Sequence, residues 1–138
     1  MIEFTFETDL QLKNVSQLQK WISEIIVSEG FETGEILYIF CDDEYLHKLN
    51  VEFLNHDTLT DIISFDYKVG KQVNGEIFIS VERVAENAKD FKTKFSEELN
   101  RVMIHGILHF CGYKDKSDSE KRIMRDKEDE SLNKLSVL

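Results

Sequence analysis

The apolar residues of this chain switch repeatedly between a period of two and a helical period, and the order of the switches leaves few folds open. Residues 2–6 (IEFTF) alternate as a short strand, and Leu18, Trp21, Ile22, Ile25 and Ile26 recur at helical spacing over 16–28, ahead of Gly30. A β-rich run covers 35–41 (EILYIFC), after which Asp42 or Asp43 is placed to cap a helix carrying Tyr45, Leu46, Leu49 and Phe53. Two further strands, 61–67 and 76–80, are joined through 68–74 with glycines at 70 and 75, for which a hairpin is the simplest connection. The rest reads as helix: 81–91, then 97–111 behind Ser96 as cap, then a last helix from about Asp118, where Ser117 and Glu120 have capping-box spacing. This order predicts an α+β domain, a four-stranded mixed sheet packed with about five helices lying on both faces. With 138 residues, no repeat, no linker and no proline, the expectation is a single domain over 1–138.

Charge narrows the choice of partner. The net charge of −10 opposes nonspecific attraction to a phosphate backbone, which depends on cation contacts. The charge is uneven, however: residues 1–82 hold 5 Lys and Arg against 16 Asp and Glu, whereas 83–138 hold 12 against 11. The C-terminal part can therefore face an anion, or simply present solvated helix faces. No apolar run approaches the roughly 18 residues that span a bilayer, and the start, MIEFTFETDL, is acidic where a signal peptide is basic and then apolar, so a cytoplasmic protein with no membrane partner is expected. Cys41 and Cys111 lack metal-site spacing and are expected to be buried, inert thiols.

The chemistry concentrates in 105–115, HGILHFCGYKD. Histidines four apart on a helix lie about 40° apart around its axis, so His105 and His109 stack on one face and can converge on one ion. A catalytic zinc takes three protein ligands and leaves a fourth position to water. Gly112 can adopt the left-handed conformation that ends a helix and folds the chain back, which makes Asp115 the natural third ligand. The helix is apolar nearly all round, so its imidazoles are partly buried and need partners, and Gly106 inside it suggests close packing or ligand access. A metal explains all three features together; a core histidine pair bonded to carbonyls explains each separately. The pattern is zincin-like but carries Gly106 where HExxH has its glutamate base, which disfavours ordinary proteolysis. A metal that acidifies water and polarises the scissile group suits phosphodiester hydrolysis without a dedicated base. Arg101, one turn before His105, can reach a phosphate, or pair with Glu97 or Glu98.

The segment resembles the signature H-G-x-L-H-x-x-G-Y-D-H of the YbeY family of metal-dependent endoribonucleases. The stretch 49–67 resembles that family's second block, ending T-D-V-L-S-F, with Thr60, Asp61, Ser64 and Phe65 matching, and GEIFIS resembles a third block, G-[DE]-I-x-I-S. The resemblance implies one zinc ion bound by three signature residues, with His105 catalytic, and a single-strand-specific endoribonuclease acting in ribosomal RNA maturation and ribosome quality control. Ribosomal RNA or a ribosomal subunit is then the partner, together with proteins of the ribosome. Two positions depart from the family pattern. Asp115 stands where the third ligand is usually histidine, with Lys114 where aspartate is usual, which changes the site's charge and makes another divalent metal an alternative to zinc. Leu54 stands where the second block commonly carries an arginine thought to engage RNA; Arg83, Arg101 or Lys114 are the cations that can replace it. His56, inside the second block, is a further candidate for substrate contact, as are Arg101 and Lys114. The rival expectations are a noncatalytic ribosome-assembly factor with a structural metal, and a metallopeptidase-like hydrolase.

Overall fold

Residues 1–55 and 60–136 are described by a computed structural model of the chain. Its elements follow the predicted order: β1 (Ile2–Phe6), α1 (Val15–Ser28), β2 (Glu32–Cys41), α2 (Asp43–Leu54), β3 (Ile62–Asp66), β4 (Gln72–Ser80), α3 (Val81–Asp90), α4 (Phe95–Phe110) and α5 (Asp118–Ser136). The sheet is mixed, in the order β1-β2-β4-β3, with β1 and β4 parallel to β2 and β3 antiparallel to β4.

Strand alternation sorts the side chains between two cores. On one face Ile36, Tyr38, Phe40, Ile77 and Ile79 pack against Trp21, Ile22 and Ile26 of α1 and against Met103, Ile107 and Leu108 of α4. On the other, Cys41 and Ile63 meet Leu46 of α2, with Leu49, Phe65 and Phe78 around them. Helices thus cover both faces, as the apolar pattern requires.

Three local expectations need correction. β2 and β4 both begin earlier than the sequence pattern indicates, pairing Glu32 with Gln72 and Thr33 with Val73. Glycine and asparagine there suggest a turn, but neighbouring strands impose extension, and the register slips between Thr33 and Ile36, where Asn74 Oδ1 accepts the Glu35 N–H at 2.8 Å. Ser96 is not the cap of α4: the helix starts at Phe95 after an extended Lys94 that makes no side-chain cap bond. Phe95 packs onto the main core, which draws the helix start back. Cys111 is only half-buried; burial still pushes its thiol up to about 11 and that of Cys41 up to about 12, so both are poor thiolates. The other two capping expectations hold, with Asp42 accepting the Tyr45 N–H at 2.8 Å, and Ser117 and Glu120 bonding reciprocally.

α4 packs against α1, α3, α5, β3 and β4, which is why it is apolar nearly all round. Gly106 sits where it crosses the sheet, and a Cβ there would stand 3.0 Å from Ile77 Cδ1 and 3.1 Å from Ile62 Cδ1. That close approach sets His105 beside the start of β3. Among the described residues, no helix is long and apolar enough to cross a membrane.

Candidate metal centre

The last turns of α4 and the bend after it build the centre. His105 and His109 share one face, their rings edge to face with centroids 4.6 Å apart. Gly112 takes φ +102°, donating its N–H to His109 O at 3.0 Å, while the Tyr113 N–H reaches Leu108 O at 3.0 Å. These are the paired bonds of a Schellman ending, and they reverse the chain as the glycine predicts. Tyr113 then donates its hydroxyl to Glu29 Oε1 at 2.6 Å, anchoring the bend to the end of α1. Asp115 folds back as a result: its Oδ2 lies 3.2 Å from His105 Nε2 and 3.3 Å from His109 Nε2, and the two Nε2 atoms are 3.1 Å apart.

These separations fit one shared cation. Donors about 2 Å from a tetrahedral ion stand about 3.3 Å from one another. The protons agree. His105 turns Nδ1 to Glu128 Oε2 at 2.6 Å, and because an ionised carboxylate only accepts, Nδ1 carries the proton and Nε2 of the neutral ring is left as an electron-pair donor. The lone pairs of His105 Nε2, His109 Nε2 and Asp115 Oδ2 therefore face one point, so His105, His109 and Asp115 can hold a metal ion. His105 Nδ1, His105 Nε2 and His109 Nε2 face each other and the acids Glu128 and Asp115 rather than backbone carbonyls, which counts against a purely structural pair. The three side chains keep 21%, 31% and 39% of their surface exposed, so solvent reaches the donors.

A cavity of about 280 Å³ opens on this centre, walled by Asp61, Ile62, Glu98, Arg101 and Glu128. A second, of about 290 Å³, adjoins it where Lys121 and Arg125 of α5 face His105 and Asp115. A larger cavity of about 730 Å³ lies beyond Arg101, between α4 and α5, and none of the three donors lines it.

Charges around the site perturb one another. Burial pulls the His105 imidazolium down, but the Glu128 bond and the charges of Glu128, Asp115 and Asp61 outweigh it and raise its pKa. Burial raises the Asp61 carboxyl, against the opposing pull of His105 and a bond from Asn87 Nδ2 at 3.3 Å. Burial likewise raises Glu98, helped by Asp61 and opposed by Arg101 and Arg125.

Among the described sequence candidates beyond the three donors, Arg101 lines the cavity that opens on the centre and the rest lie away from it. Arg101 does not pair with Glu97 or Glu98: it donates to Glu128 Oε1 at 2.9 Å and to Asp129 Oδ1 at 2.7 Å, because α5 packs on this side of α4. Arg83 is bound to Asp43 at 2.8 Å, Leu54 is exposed at the end of α2, and Lys114 is exposed within the bend. His56 lies outside the described residues. Four contributors escaped sequence reasoning: Glu98, Lys121, Arg125 and Glu128. One signal was available, since Met124, Glu128 and Ser131 form the inner stripe of a strongly charged helix, and an acid on such a stripe needs a partner inside.

Comparison with known proteins finds relatives over nearly the whole chain. The family model described as Endoribonuclease YbeY matches residues 3–136. The chain is 64% identical over 137 residues to an Endoribonuclease YbeY of Flavobacterium johnsoniae, covering 99% of each chain. It is 56% identical to one of Flavobacterium psychrophilum, covering 99% of this chain and 98% of that one. It also resembles the solution structure of TM1509 from Thermotoga maritima, with a TM-score of 0.69 and 29% identity, over 98% of this chain and 89% of the other.

Proposed function

The chain belongs to the endoribonuclease YbeY family, and from that premise we propose that residues 1–138 form a single-domain, metal-dependent hydrolase that cuts single-stranded RNA during ribosomal RNA maturation and ribosome quality control. The observation that carries the reading is the convergence of His105 Nε2, His109 Nε2 and Asp115 Oδ2 within 3.1–3.3 Å of one another on a face open to solvent. These residues would hold one divalent ion, zinc by the donor set, although one carboxylate among two imidazoles also suits a somewhat harder metal. When bound, the ion supplies a Lewis acid and an acidified water for attack on a phosphodiester.

The chain's own residues arrange the rest. Lys121 and Arg125 offer cations where an RNA phosphate would approach His105 and Asp115, and Lys114 offers another from the bend. Arg101 stands on the cavity wall, but its guanidinium is already shared between two carboxylates and meets a phosphate only in competition with them. Asp61, Glu98 and Glu128 make the floor acidic, so substrate binding leans on the α5 cations and on presentation of the RNA by a ribosomal subunit or its proteins. We place the protein in the cytoplasm, where that substrate is found.

The test is replacement of the chromosomal copy by His105→Ala. Ribosomal RNA ends are then expected to accumulate unprocessed. Normal processing with a folded variant would overturn the catalytic reading in favour of an assembly factor whose metal is structural.

A further inference from the structure

The metal centre is supported from a helix that supplies none of its donors. We propose that Glu128 is a positioning residue for this centre, acting through His105; the inference rests on the metal-binding reading above.

Three observations carry it. Glu128 bonds His105 Nδ1 at 2.6 Å through Oε2, while Oε1 is taken by Arg101 at 2.9 Å, so the carboxylate is held from both ends. Its side chain is only 6% exposed on a helix that is otherwise rich in exposed charge, and an acid is buried at such cost only where its partners are fixed. Finally, α5 is tied in register: one turn beyond Glu128, Ser131 O accepts the Trp21 indole N–H at 2.7 Å, inside the main core. The carboxylate thus reaches His105 from a position set by α1 and α5 together.

The consequence for the ion follows from the proton. A carboxylate on Nδ1 keeps that nitrogen protonated and aims Nε2 at Asp115 and His109, and its charge makes Nε2 a stronger electron-pair donor. Without it the ring can protonate at Nε2, the atom that must stay bare, or turn out of line. Arg101 then belongs to the same chain of contacts, orienting Glu128.

The experiment compares Glu128→Ala, Glu128→Gln and Arg101→Met with wild type in zinc affinity, by competition with a chromophoric chelator, and in the His105 tautomer of the metal-free protein, by 15N NMR of the imidazole. Loss of a carboxylate behind a ligating histidine typically weakens metal binding about 10- to 100-fold, which is the expectation for Glu128→Ala. Glu128→Gln, whose amide oxygen still accepts from Nδ1, is expected to fall between that variant and wild type. With the ring held neutral by raised pH, both variants are expected to carry the proton on Nε2 in a larger share of molecules than wild type does. Arg101→Met, which removes the partner that orients Glu128 but leaves the His105 bond in place, is expected to weaken zinc binding by less than Glu128→Ala does. A carboxylate that only braces α5 would lower the melting temperature and leave affinity and tautomer unchanged; that result overturns the assignment. Should Glu128→Ala not fold, Glu128→Gln carries the same comparison. Wild-type protein that binds no zinc overturns the metal reading and this inference with it, whereas equally tight binding by wild type and the Glu128 variants overturns this inference alone.

Discussion

Glu98 and Asp61 are acids placed where water is scarce, and their carboxyls are raised because the buried wall disfavours the charged form. An acid raised by folding is protonated more readily in the native state, so the stability it contributes is full below its unfolded value of about 4 and is lost as pH rises through the native value. Glu98→Gln is therefore expected to melt at higher temperature than wild type near neutral pH, with the gap closing as pH falls through about 4; a gap independent of pH in thermal melts would contradict this. Asp115 makes the complementary case. Removing it as Asp115→Ala takes away one of three donors and is expected to weaken zinc binding by about 100-fold, while Asp115→His keeps three donors and is expected to move the zinc-over-manganese preference up by about tenfold, both read by chelator competition. At this scale the donors were legible, because histidine spacing and a helix-ending glycine are local signals. Glu128 and Arg125 were not, because their role depends on how α5 docks against α4, a distant contact that spacing within either helix does not express.

Among the elements, the unit that matters is α4, its reversing end and α5. Gly112 at φ +102° is in the region where an added Cβ costs about 1–2 kcal/mol, so Gly112→Ala is expected to lower stability by about that amount and to weaken zinc binding as well, since the strained bend carries Asp115. An unchanged zinc affinity would mean that Asp115 is positioned by something else. A bound ion that joins α4 to the segment leading into α5 is also expected to slow amide exchange in α5, measured with and without zinc. The helices were readable in the sequence because their caps and apolar stripes are written within each segment, as Asp42 and the Ser117–Glu120 pair illustrate. The early parts of β2 and β4 were not readable: Gly34, Asn74 and Gly75 favour turns, and only the pairing of one strand with the other extends them.

The whole molecule sets an acidic body against a small basic rim. With a net charge of −10 and only a few cations near the centre, binding to naked single-stranded RNA is expected to be weak. Two or three phosphate contacts give a slope of about −2 in log affinity against log salt, which Arg125→Ala should reduce by about 0.7. A slope that does not change on losing Arg125 or Lys121 would place the RNA on another surface. The central claim, that the ion held by His105, His109 and Asp115 is the seat of cleavage, is tested most directly by titrating zinc into metal-stripped protein while following cleavage of a single-stranded ribosomal RNA fragment. The account predicts no cleavage at the start, a rise that ends at one ion per chain, and no rise in His109→Ala; cleavage by the stripped protein, or full occupancy without cleavage even when the RNA is presented on a ribosomal subunit, would contradict it.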